Sequence, residues 1–157
     1  QGRCKMETSV SSLTCFPSYL NENLKLNQVD LRTLSPLALA YIGDGIYEIL
    51  IRTKVISRGS TQVNNMHKKS ASLVKAGTQA EIIQKLLEAR LLTQEEETVY
   101  KRGRNAKSVT MAKHATMAEY RKATGFEALC GYLYLSGQME RLSWLVGKGL
   151  MEIGELE

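Results

Sequence analysis

The sequence predicts an all-α domain. Proline occurs only at positions 17 and 36 of the 157 residues. β-Branched residues rarely alternate with polar ones over strand-length runs, so helix is the default for nearly every apolar segment. Those segments are also punctuated by capping residues and glycines, the signals that start and stop helices.

In chain order, residues 9–30 mix turn formers with scattered apolar residues and predict an irregular arm with at most a short helix. Residues 1 to about 8 read as a processed or appended end and are set aside, which leaves an N-terminal arm over 1–30 and a folded domain over 31–157. The first strong helix starts at Ser35-Pro36, a cap residue followed by proline at the first helical position, and runs to about Ile56 before the turn Ser57-Arg58-Gly59. A second fits QVNNMHKKSASLVKAG and closes at Gly77; a third fits TQAEIIQKLLEARL, with Thr78 and Glu81 as a capping box. A fourth, TQEEETVYKRGR, repeats the device at Thr93 and Glu96, with acids in its first turn and bases in its last, as the helix dipole prefers. Residues 103–116 show no clean period and predict an exposed basic loop. Two further helices, MAEYRKATGFEALCGYLYLSG and MERLSWLVGKGLMEI, meet at Gly137.

With 43% hydrophobic and 24% charged residues the chain fits one domain with a real core. Its apolar runs are broken too early to span a membrane. Three cysteines, Cys4, Cys15 and Cys130, lack CxxC spacing and indicate neither a disulfide framework nor a zinc site, which favours a reducing compartment. The net charge of +5 points mildly to a polyanionic partner.

Two acids stand on apolar helices. Asp44 lies between Gly43 and Gly45 in YIGDGIYE, and each glycine inside a helix costs about 1 kcal/mol relative to alanine. Glu127 lies in GFEALCGYLYL, with Gly131 one turn on. Glycines at such places let two helix backbones approach closely, so the two helices are expected to cross with the carboxylates near the crossing. Glu48 follows Asp44 by one turn on the same face. A group of carboxylates suits Mg²⁺ or Mn²⁺, which favour carboxylate and water ligands. The ordinary alternative is that these are surface acids at the edges of amphipathic faces.

Basic residues cluster elsewhere. KRGRNAK holds Lys101, Arg102, Arg104 and Lys107; His67-Lys68-Lys69 and Arg121-Lys122 are shorter groups. Aromatics do not interleave with these cations, which fits contact with a duplex backbone better than stacking on unpaired bases. A solvated helix end would look the same. His67 and His114 stand near no recognisable nucleophile motif and read as surface or capping residues, and Trp144 as core or interface packing.

LALAYIGDGIYE resembles the signature helix of the ribonuclease III fold, and FEALCGYLYL its second acidic motif. The closer likeness is to Mini-ribonuclease III, the short bacterial branch without a double-stranded-RNA-binding domain. ALAYIGDGIYE, NNMHKKSASLVKAGTQAEI, EEETVYKRGRNAKS and TGFEALCGYLYL resemble its blocks in order and spacing, over roughly residues 34–146. The resemblance implies a homodimeric helical bundle that cleaves double-stranded RNA with a divalent metal, Mg²⁺ or alternatively Mn²⁺, leaving 5′-phosphate products. Asp44 and Glu127 would be catalytic metal ligands, with Glu48 reaching the metal through water. Lys101, Arg102, Arg104, Lys107, His67, Lys68 and Lys69 would bind the RNA. The family's best-known substrate is the stem of the 23S ribosomal RNA precursor, which implies a bacterial cytoplasm or a plastid of bacterial ancestry. Ala40 and Thr124 stand where full-length ribonuclease III has two further acids. They leave open a catalytically inactive, double-stranded-RNA-binding member of the same fold, and a basic helical scaffold or DNA-binding domain is a third reading.

Overall fold

The structure, a computed structural model, describes residues 12–59, 62–107 and 116–156. Ser35 starts the central helix as its sequence suggests: its side chain accepts from the Ala38 N–H at 3.1 Å and Pro36 occupies the first helical position. The helices are α1 (Ser18–Leu24), α2 (Pro36–Ile56), α3 (Val63–Val74), α4 (Ala76–Glu88), α5 (Gln94–Arg104), α6 (Met117–Leu135) and α7 (Met139–Glu152). A short 3-10 turn, Leu31–Thr33, precedes α2. Among the described residues extended pairing is limited to one isolated bridge between Leu13 and Asp30. The Cys15 N–H donates to the Leu135 carbonyl at 2.8 Å and ties the N-terminal arm to the end of α6.

Helix α6 is the hub, packed against α2, α5, α4 and α7. Its Phe126, Leu129 and Leu133 join Tyr47 and Ile51 of α2, Ile82, Ile83 and Leu86 of α4, and Leu142 and Leu145 of α7 in one buried cluster. Each such side chain contributes about 1.5–3 kcal/mol by leaving water. Tyr47 meets Phe126 edge to face at 5.3 Å, and its hydroxyl donates to the Leu73 carbonyl at 2.7 Å, so this large polar group is buried without an orphan donor. None of the described helices is long and apolar enough to cross a membrane.

Local signals served well where local bonds decide. The Thr93–Glu96 capping box is present, and a second joins Thr116 to Glu119 at the start of α6. The expected box at Thr78 is not formed. Helix α4 begins two residues earlier, at Ala76, and Thr78 is buried with its hydroxyl donating to the Ser72 carbonyl. Tertiary burial claimed a residue whose sequence looked like a cap. The basic stretch after residue 103 begins inside α5, which runs to Arg104; the rest of that expected loop, with His114, lies largely outside the described residues. Cys15 is disulfide-bonded, although the odd cysteine count pointed to no disulfide, while Cys130 is a free thiol buried in the core.

Candidate active site

The site forms where α2 and α6 touch backbone to backbone. A Cβ built on Gly43 would lie 1.7 Å from the Glu127 carbonyl oxygen and 2.8 Å from the Gly131 nitrogen. One built on Gly131 would lie 2.0 Å from the Leu39 carbonyl oxygen. Neither position has room for any side chain, so the crossing expected from these glycines is present. Gly45 differs: nothing lies within 4 Å of its would-be Cβ. Its cost to the helix is not repaid by packing within this chain.

Asp44 follows Gly43, and Gly43 rests on the Glu127 backbone, so the two acids lie close enough at the crossing for the charge of Asp44 to act on Glu127. Glu127 is half-buried, and its carboxyl is pushed up to about 8, first by burial and then by the charge of Asp44. Asp44 is exposed at its outer surface yet also raised, first by partial desolvation at the crossing and then by Glu48. Glu48 lies one turn on and receives the Arg52 guanidinium at 2.7 Å. No cation offsets the charge of Asp44 and Glu127 among the described residues, where no group of three His, Cys, Asp or Glu side chains is placed to hold a metal. Carboxylates whose proton affinity is raised by burial and by neighbouring acids bind a proton or a divalent cation readily. The donor set, two carboxylates open to water on one side, fits a hydrated hard cation.

The positions of the two missing acids are closed. Ala40 is 7% exposed in a small apolar cluster with Leu39 and Ala128, against Val99 and Tyr132. Thr124 is buried, and its hydroxyl donates to the Tyr120 carbonyl at 3.0 Å. Neither can supply an anionic ligand.

The basic residues divide between α5 and α3. Arg102 and Lys107 are exposed and form no ion pair with a described residue. Lys101 reaches Glu97 at 3.8 Å, and Arg104 lies 5.7 Å over the Tyr100 ring and donates to the Asn105 side chain. On α3, His67 and Lys68 are exposed, whereas Lys69 is held by Glu155 at 2.6 Å. Trp144 is partly exposed, with Arg141 at 4.8 Å and Lys148 at 5.5 Å from its ring.

Sequence reading missed how the basic end of α5 is seated. Gly103 is buried against α6 at Gly125 and Ala128, and Gly125 in turn lies against Tyr100. A glycine within a charged helical turn, at no break in the chain, was the available signal. It also missed the anchor at the other end of α5, where Glu96, 4% exposed, pairs with Arg141 at 2.9 Å and Arg141 also donates to the Leu91 carbonyl. These partners are 45 residues apart in sequence.

Comparison with known proteins agrees with this fold. The sequence pattern of the Ribonuclease III domain matches residues 37–138. A Mini-ribonuclease 3 of Enterococcus faecalis is 50% identical over 80% of this chain and 96% of its own length. One from Clostridium tetani is 52% identical over 72% of this chain and 74% of its own. A protein of Fusobacterium nucleatum with a known crystal structure superposes with a TM-score of 0.69 at 30% identity, over 77% of this chain and 91% of that one. The chain belongs to the ribonuclease III family, on its Mini-ribonuclease 3 branch, and is an endoribonuclease of double-stranded RNA.

Proposed function

We propose that Asp44 and Glu127 are the catalytic pair and together hold one hydrated Mg²⁺, replaceable by Mn²⁺. The carrying observation is the backbone contact at Gly43, which brings the two acids close enough for the charge of Asp44 to act on Glu127. Dependence on a divalent metal is general in the family. When bound, the metal supplies an activated water for in-line attack on the phosphodiester and offsets charge on the leaving oxygen. Glu127 gives up its proton to the solvent before it can act as a ligand, while Asp44, exposed at the crossing, faces the RNA. Glu48, turned toward Arg52, contributes negative potential and reaches the site through water. With Ala40 packed in apolar surroundings and the Thr124 hydroxyl committed within its helix, a second ion would draw its ligands from the RNA phosphate.

Arg102, Arg104, Lys101 and Lys107, together with His67, Lys68 and Lys69 of α3, hold the phosphate backbone in this reading. Arg102 and Lys107 are the most available of them. The substrate is a duplex stem of a ribosomal RNA precursor, that of the 23S RNA, cut in a bacterial cytoplasm to leave 5′-phosphate ends. A long RNA duplex incubated with Mg²⁺ tests the assignment. Wild-type protein is expected to cut it and Asp44→Asn to lose the cutting while keeping the fold; cleavage that survives this substitution would remove Asp44 from the site. Changing Arg102, Arg104 and Lys107 together to glutamine is expected to lower the slope of log affinity against log salt by roughly two to three. An unchanged slope would place the phosphate contacts elsewhere.

The protein acts as a homodimer in this reading, through the outer face of α2. Leu37, Tyr41, Gly45 and Ile49 recur every fourth residue there, with Tyr41 83% and Ile49 58% exposed. The open space beside Gly45 lies in the middle of this apolar stripe, where a second copy can approach closely. Tyr41→Glu is expected to give a monomer in light scattering with its helical circular dichroism intact. A dimer that persists with this substitution would put the interface on another face.

A further inference from the structure

Helix α5 is fixed to α6 at both ends, by different means. Its acidic start is held by side chains: the Tyr132 hydroxyl of α6 donates to Glu95, and Glu96 pairs with Arg141 of α7. Its basic end makes no side-chain hydrogen bond or ion pair to α6 among the described residues. What seats that end is the absence of a side chain. A Cβ on Gly103 would lie 2.7 Å from the Ala128 Cβ, 2.9 Å from the Gly125 Cα and 3.2 Å from the Thr124 carbonyl oxygen. From the other side, a Cβ on Gly125 would lie 2.7 Å from the Tyr100 carbonyl oxygen and 2.7 Å from its ring. At this contact no side chain stands between the two helices, where side chains ordinarily hold the axes roughly 8–10 Å apart.

This seat adjoins the carboxylate pair. Residues 124 and 127 are three apart on α6, so their faces differ by only about 60° around the helix. The turn that receives Gly103 is thus next to the one that carries Glu127, and Gly103 itself stands between Arg102 and Arg104. We propose that Gly103 is a positioning residue for the cleavage reaction: by letting the basic turn close onto Gly125, it sets where Arg102 and its neighbours hold an RNA phosphate relative to Asp44 and Glu127. This rests on the reading of residues 101–107 as phosphate contacts. Anchoring of α5 is already supplied at its other end by the bonds of Glu95 and Glu96. Lysines and arginines on a turn displaced by about an ångström would still attract the duplex, but would present the scissile phosphate out of line.

The test is a double-mutant cycle on steady-state cleavage of a long RNA duplex in Mg²⁺. The four proteins are wild type, Gly103→Ala, the Arg102→Gln/Arg104→Gln/Lys107→Gln variant, and all four changes combined. Gly103→Ala is expected to lower kcat by about 100-fold while leaving the salt dependence of binding unchanged, because no charge is removed. In the neutralised background the same substitution is expected to cost less than about threefold, since the cations it positions are gone. An equal loss in both backgrounds would show a structural role and overturn the proposal, as would an unchanged kcat or a rise confined to KM. Wild-type protein that does not cut, or a neutralised variant that cuts like wild type, would instead sink the reading on which the proposal rests. Ala128→Ser crowds the same seam from α6 and is expected to show the same non-additive loss. It carries the test if Gly103→Ala does not fold, and an additive loss from it would equally overturn the proposal.

Discussion

Replacing Glu127 with glutamine is expected to lower duplex cleavage about 1000-fold or more, as loss of a metal ligand does, and to make the metal-free protein more stable in mild alkali. The second effect follows from the burial of Glu127 beside Asp44, which raises its carboxyl to about 8 from an ordinary value of 4.5. A group that binds its proton more tightly when folded contributes stability that is fully present below the unfolded value and is lost as pH rises through the folded one. The wild-type protein in chelator should therefore lose on the order of 3–5 kcal/mol between roughly pH 4.5 and 8 on account of this residue. Glutamine carries no charge at any pH and removes that slope. Thermal unfolding of the two proteins in EDTA at pH 5, 7 and 9 is the measurement, with the variant ahead at pH 9 and the difference gone at the acid end. Parallel curves would mean that Glu127 is not charged against an unfavourable field. Added Mg²⁺ should stabilise the wild type more as pH rises, because the ion competes with the proton for the same oxygens.

Gly43→Ala is expected to be among the most destabilising single changes in the chain. Alanine is better than glycine in a helix by about 1 kcal/mol, but its methyl would stand 1.7 Å from the Glu127 carbonyl oxygen. That oxygen is backbone, so relief requires α2 and α6 to move apart, and a net loss of roughly 3–5 kcal/mol is expected, beyond the usual range for overpacking. Denaturant unfolding measures it. Gly45→Ala is the control on the same helix: with open space around it, it should gain up to about 1 kcal/mol in the Tyr41→Glu background, where no second copy covers the face. Equal behaviour of the two alanine variants would contradict the crossing.

Much of this was legible along the chain. The start of α2 at Ser35-Pro36 and the capping box at Thr93 depend on groups three or four residues apart, and those came out as read. The pairing of Asp44 with Glu127 was legible indirectly, because glycine next to an acid in an apolar helix has few other reasons to exist. Gly45 followed the same logic and faces open space instead. Thr78 carried a cap signal but is buried against Ser72, and no local rule weighs a cap against burial in the core. Glu96 read only as the capping-box partner of Thr93, and its pairing with Arg141 at the start of α5 depends on how α7 returns across the bundle.

The sequence by itself determined that this is a helical ribonuclease III domain with two acids set among glycines and a basic helix end, since capping, helix breaking and motif order are written in neighbouring residues. Only the tertiary structure decided that Gly43, not Gly45, makes the contact, that Ala40 and Thr124 are closed to a metal, and that Gly103 seats the basic turn against Gly125 and Ala128. Each of these depends on which atoms of a distant helix occupy the last few ångströms, and the rotation and spacing of packed helices is a property of the whole core.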